Sequence, residues 1–271
     1  MKSTKRISTL ATIFLLLISV QFFGQEEKEA TTETEFKPAY IVIVKMHFNS
    51  DHVIDFSEWK KTEEEYFDKV ISKNDLIMHS GVYRHYLTPD SSEILFIKVF
   101  DSWFDFEAAL DLNVELIEEA WPDEDERAAF FEKQSSFYND EHSDEMYSTL
   151  PFYKSLETES EEPLLVYMRK NEAGEGGDGY QEYFDNVIAK NKYIKGFFSM
   201  KHFFGAHSRD AYEVGVYDNL ADIEKAFEEN QRLSNEHWAD KEEREAFFKE
   251  FNKVFKGHGD YIYQTVPELA K

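Results

Sequence analysis

From Pro38 onward the apolar positions change rhythm in a regular way. Residues 39–48 (AYIVIVKMHF) are β-branched and apolar without interruption, too short for a typical helix, and predict a buried strand. After a turn through Asn49, Ser50 and Asp51, the positions Phe56, Trp59, Tyr66, Phe67, Val70 and Ile71 recur at helical spacing with charges between them. Residues 78–87 and 93–100 flank the turn signal Thr88-Pro89-Asp90-Ser91-Ser92 and predict an antiparallel hairpin. Ser102 and Asp105 form a capped start for a helix that runs to about Trp121, with Trp103, Phe106, Leu110, Ile117 and Trp121 as its inward stripe and Pro122 as its stop. Asp123 with Glu126 opens a third helix that turns Phe130, Phe131, Phe137 and Tyr138 inward, and a short strand over 146–150 closes the unit.

The pattern then repeats. Glu65-Tyr66-Phe67-Asp68-Lys69-Val70-Ile71-Ser72-Lys73-Asn74 returns as Glu182-Tyr183-Phe184-Asp185-Asn186-Val187-Ile188-Ala189-Lys190-Asn191, with 8 of 10 positions identical at a shift of 117. The same shift aligns His85 with His202, Asp101 with Asp218, Trp121 with Trp238, and Phe130-Phe131 with Phe247-Phe248. One slip later, His142, Asp144 and Tyr147 meet His258, Asp260 and Tyr263. Asn219 with Asp222, and Asp240 with Glu243, stand where the first copy has its helix caps. The second copy predicts strands over 164–169, 195–204, 211–217 and 261–264 and helices over 179–191, 219–238 and 240–256. A period this long marks a duplicated domain, since solenoid repeats run to roughly 20–50 residues.

Each copy therefore reads β-α-β-β-α-α-β, an α+β, ferredoxin-like unit with an additional helix. Helices cover only one face of such a sheet, and the neighbouring copy is the nearest cover for the other. The expected architecture is a pseudo-symmetric α+β barrel, an intramolecular pseudo-dimer. The boundaries expected are 1–24 a signal peptide, 25–37 a flexible acidic lead, 38–156 the first repeat, 157–163 a linker and 164–271 the second repeat. The order of elements, the length of each half and the runs VFDSWFDFEAAL and VYDNLADIEKAF resemble the dimeric α+β barrel superfamily. That group includes antibiotic-biosynthesis monooxygenase-like, NIPSNAP-like and chlorite-dismutase-like families, the last with two fused copies. The resemblance implies cofactor-independent oxygenation or haem chemistry as the reactions to consider, and carries no catalytic motif that can be placed on these residues.

Composition narrows the picture. Lys2, Lys5 and Arg6 precede an apolar run from Leu10 to Phe23, the pattern of a secretory signal cleaved near Gly24-Gln25, which predicts an exported, periplasmic or extracellular protein with no membrane partner once cleaved. There is no cysteine, so disulfides and thiol nucleophiles are excluded. A net charge of −25 disfavours nucleic acid and anionic lipid as partners, because binding phosphates needs basic patches. The 25 Phe and 15 Tyr point instead to aromatic packing and a small apolar partner.

Candidate chemistry is sparse. His85 and His202 occupy the same mid-strand position of each copy and, with Tyr83, Arg84 and Lys201 beside them, are the ligand-binding candidates. An imidazole there could hold haem or a metal or carry a proton near neutral pH; the plainer reading is a pair of structural histidines duplicated with the fold. His142 with Asp144 and His258 with Asp260 have no dedicated ligand spacing and read as turn chemistry before the closing strands, so no metal site is assigned. Residues 172–179 (EAGEGGDG) lack the pattern of a phosphate loop or an EF-hand and read as a flexible connection. The leading expectation is a protein that binds a small apolar or aromatic ligand in a tandem barrel. The alternatives are a cofactor-independent monooxygenase-like or haem-active enzyme, and a structural or interaction module. A hollow barrel without converging polar groups would favour binding, a His or Arg pointing into it would favour the enzyme, and a filled barrel with an exposed apolar patch would favour interaction.

Overall fold

The computed structural model describes residues 36–50, 54–156 and 160–271. The expected signal peptide and nearly all of the acidic lead lie outside the described residues, as does part of the expected linker.

The first copy contributes strands β1 (Tyr40–Phe48), β2 (His79–Leu87), β3 (Glu93–Phe100) and β4 (Tyr138–Lys154) and helices α1 (Phe56–Tyr66), α2 (Trp103–Ala120) and α3 (Glu124–Ser136). The second contributes β5 (Leu165–Ala173), α4 (Tyr180–Tyr183), β6 (Gly196–Phe204), β7 (Asp210–Tyr217), α5 (Leu220–His237), α6 (Lys241–Phe251) and β8 (Phe255–Thr265). All pairings are antiparallel, and the strands close a barrel in the order β1-β3-β2-β8-β5-β7-β6-β4. Each copy thus keeps the ferredoxin-like order, and β2–β8 and β4–β6 join one copy to the other, with register shifts in both seams.

The repeated ten-residue stretch explains its own prominence. In each copy the first helix ends in a π-helical turn, with Ser72 N bonding Phe67 O and Ala189 N bonding Phe184 O at 2.8 Å. The Asn that ends the stretch is fully buried: Asn74 donates to Ala109 O at 2.9 Å and Asn113 Oδ1 at 2.8 Å, and Asn191 to Ala226 O and Asn230 Oδ1 at 2.8 Å. These clamps dock α1 onto α2 and α4 onto α5, where an unpaired amide would be costly. The caps also correspond: Ser102 and Asn219 accept from Asp105 N and Asp222 N at 3.1 Å, and Asp123 and Asp240 receive the first amides of α3 and α6.

Four expectations are corrected. The closing strands are far longer than predicted, so His142, Asp144, His258 and Asp260 lie within β4 and β8 rather than in turns; their alternating polar residues are tolerated because that end of each strand is largely exposed. On α2 the buried face centres on Ala109 and Asn113, because Asn113 must meet Asn74, and this rotates Trp103 and Leu110 outward. The Gly174–Gly179 connection is packed, not loose: Gly174 N bonds Val254 O at 2.7 Å, and Gly179, at φ 89°, sits where any side chain would strike the Phe247 ring. Finally, the barrel is filled. Ile41, Ile43, Leu95, Ile97, Tyr147, Val166, Met168, Met200, Val214 and Tyr263 pack its interior, leaving about 80 Å³ at one end. Outside, Trp103, Phe203 and Phe204 form an exposed aromatic cluster and Phe104 is exposed as well, the combination the interaction reading called for.

Candidate functional site

Alternation on β3 sends Leu95 and Ile97 into the barrel and Ile94, Phe96 and Phe100 toward the helices. Lys98 shares this outward face. On the neighbouring β2, Ser80 pairs with Lys98 and Val82 with Phe96. Under helices α1 and α3 the outer core of the first copy divides into one cluster around Trp59, Val82 and Ile94 and another around Ile71, Ile77 and Phe100, with Phe67 touching both.

Between them lies a cavity of about 680 Å³. Its walls are largely apolar, formed by residues such as Val44, Met46, Phe67, Phe96 and Phe131. Leu269, from the segment after β8, helps to close it.

A few polar groups converge in this apolar space. Glu63 on α1 is buried, accepting from Tyr138 Oη at 2.7 Å and from Gln134 Nε2 at 3.0 Å; Trp59 Nε1 donates to the same tyrosine oxygen at 2.7 Å. Burial pushes the Glu63 carboxyl above its ordinary range, and the two hydrogen bonds pull it partly back. The same burial holds the Lys98 ammonium below its ordinary range, with Glu63 opposing the shift. The Ser80 hydroxyl is buried without a hydrogen-bond partner.

None of the five residues singled out in the sequence lines this cavity. Tyr83 points into the barrel, where burial pushes its hydroxyl up to about 12. His85 Nδ1 lies 2.7 Å from the Thr88 hydroxyl, and His202 Nε2 3.3 Å from Gly205 O, both on the barrel side of their strands near the polar end. That end also carries the symmetry-related pairs Lys45–Glu93 at 2.7 Å and Lys170–Asp210 at 2.6 Å, with Tyr263 donating to Glu93 and Tyr147 to Glu145. Arg84 points outward over the Phe56 ring, and Lys201 is exposed. Sequence reasoning missed Glu63 and Lys98. Glu63 opens a run of three glutamates that looks solvated, but Lys98 left a signal: a charge inside the apolar run of β3 whose counterpart is Gly215.

Haem would require an axial donor here. The cavity offers the Met46 thioether and the Tyr66 and Tyr138 hydroxyls, with no imidazole, and Tyr138 is already bonded to Glu63 and Trp59. A haem held here would take Tyr66 or Met46 as its axial donor rather than an imidazole. Among the described residues no three metal-ligating side chains come together, and no helix is long and apolar enough to cross a membrane.

No protein-family model matches the chain, and comparison with curated proteins finds no relative. Solved structures do match. A candidate monooxygenase from Fusobacterium nucleatum subsp. nucleatum is similar with a TM-score of 0.53 at 8% identity, over 85% of this chain and 93% of that one. A variant of chlorite dismutase from Candidatus Nitrospira defluvii gives a TM-score of 0.50 at 13% identity, over 85% and 92%. At such identities the likeness establishes the dimeric α+β barrel fold, here with both ferredoxin-like copies in one chain.

Proposed function

We propose that this tandem α+β barrel binds a small, largely apolar or aromatic molecule, and that it does so in the cleft between the helices and the sheet of the first copy. The observation that carries the reading is the 680 Å³ cavity, whose apolar walls surround a handful of oriented polar groups, the usual composition of a small-molecule site. The filled barrel moves the site from the interior expected of the sequence to the opposite strand face. Lys2, Lys5, Arg6 and the apolar run after them support export, so the molecule would be met in a periplasmic or extracellular setting.

A second reading has a specific observation in its favour. Glu63 and Lys98 bring an acid–base pair into the cavity, so a molecule held there could also be transformed, as the monooxygenase-like resemblance would have it. The test of binding is titration with the neutral fluorescent probe N-phenyl-1-naphthylamine. Saturable enhancement is expected in the native protein, and Ser80→Phe, which places a ring in the cavity, should weaken it about tenfold or more. Equal binding by both proteins would remove the cleft from consideration. A parallel titration with haemin that produced a sharp Soret band lost in Ser80→Phe would replace the organic ligand by haem.

A further inference from the structure

Lys98 stands apart from the other amines described. It projects from the middle of β3 into an apolar cavity and has no hydrogen-bond or ion-pair partner among the described residues, whereas Lys45, Lys60, Lys69, Lys133 and Lys170 each meet a carboxylate. An ammonium turned into apolar surroundings with no partner in hydrogen-bond reach is disfavoured and gives up its proton more readily, and the Glu63 carboxylate opposes this only through space. Glu63 faces the same cavity, fixed by Tyr138 and Gln134, and the unpartnered Ser80 hydroxyl lies on the adjacent strand at the position paired with Lys98. An amine, a carboxylate and a free hydroxyl around an apolar space form the set needed to condense an amine with a carbonyl compound.

We propose that Lys98 captures a small apolar aldehyde or ketone as a Schiff base, with Glu63 as the proton carrier; the proposal rests on the cleft being a ligand site. Neutral Nζ attacks the carbonyl carbon, the C–N bond forms, and the carbonyl π electrons move to oxygen, which takes the proton of the Glu63 acid. The nitrogen, now cationic, gives a proton to the resulting Glu63 carboxylate. Glu63 passes that proton to the carbinolamine hydroxyl, the C–O bond breaks, and one water leaves as the C=N bond forms, with the protonated imine left beside the Glu63 carboxylate. No oxidant or reductant takes part. The lowered affinity of Lys98 for its proton favours the nucleophilic form, and the raised affinity of Glu63 favours the acid needed for loss of water. Ser80 is placed to hydrogen-bond the departing oxygen. Ketones and aldehydes with alkyl or aryl bodies match the walls; sugars and other polyols do not.

The experiment is reductive trapping of the whole protein with benzaldehyde and sodium cyanoborohydride at neutral pH, read by intact mass and peptide mapping. One benzyl group at Lys98, formed about tenfold or more faster than at any other lysine, is expected. Lys98→Arg and Lys98→Met should both lose it, and Glu63→Gln should slow it by about a hundredfold. Label scattered over exposed lysines, unchanged in the Lys98 variants, would overturn the proposal. N-phenyl-1-naphthylamine binding is measured on the same samples. A protein that binds the dye yet gains no benzyl group at Lys98 sinks the imine step alone; one that does not bind the dye sinks the ligand site as well.

Discussion

The two clefts of this molecule share a backbone and differ in what fills them. Strand register and the repeat shift set Ser80 against Phe197, Lys98 against Gly215, Phe96 against Glu213, Glu63 against Tyr180 and Gln134 against Phe251. In the second copy Phe197 packs on Phe184, Phe251 stacks on Tyr180 and packs on Tyr183, and Phe152 fits against Tyr180 and Phe184. Beside the matching helix-junction clusters around Trp121 and Trp238, the outer core there is one cluster where the first copy has two. Each cleft retains a carboxylate bonded to a tyrosine, but with the partners moved: Tyr180 on the helix donates to Glu213 on the strand at 2.7 Å, whereas Glu63 on the helix accepts from Tyr138. A smaller space of about 260 Å³ remains at the equivalent place in the second copy, lined by residues that include Arg169, Tyr183, Glu213 and Phe251. A few side chains thus decide how much of the cleft stays open, and the narrower copy serves as an internal comparison for the wider one.

The sharpest way to break the comparison is to exchange its deciding residues. Phe197→Ser should cost about 3–5 kcal/mol in denaturant unfolding, because a buried ring is lost from a closed core. Ser80→Phe should change stability by under about 1 kcal/mol, since the cavity has room for the ring. Equal losses from both would mean that the clefts are packed alike. Next in size are the clamps: Asn74→Ala and Asn191→Ala should each cost about 2 kcal/mol by stranding a buried carbonyl and a second amide. A difference above about 1 kcal/mol between them would show that the copies do not bear equal strain.

The smallest effect is a pH slope. Glu63 holds its proton more tightly in the folded protein than in the unfolded chain. Its penalty is therefore absent below the unfolded carboxylate range and grows as pH rises through the raised folded value. Melting temperatures measured upward from about pH 4.5 should fall more steeply in the native protein than in Glu63→Gln. Parallel curves would mean that Glu63 ionises without cost.

The duplicated architecture was legible because its determinants are local or identical in both copies: Asn74 and Asn191, the caps at Ser102 and Asn219, the breaker Pro122. The cavity was not, since it depends on which strand face meets the helices. Tyr83 and His85 drew notice by chemical type, yet alternation turns them away from the open space and Ser80 and Val82 toward it. Glu63 was hidden by Glu64 and Glu65, which share its identity but not its burial. Trp103 and Leu110 fitted an apolar period, and only the long-range demand of Asn74 on Asn113 rotates the helix away from it.

The seams β2–β8 and β4–β6 close the barrel within one polypeptide. A barrel assembled from two identical chains must write every substitution twice, so a cleft filled on one side is filled on the other, and a lysine placed in one appears in both. Covalent linkage removes that constraint. Each half can then change its cleft residues without changing those of the other, as Ser80 against Phe197 and Lys98 against Gly215 illustrate.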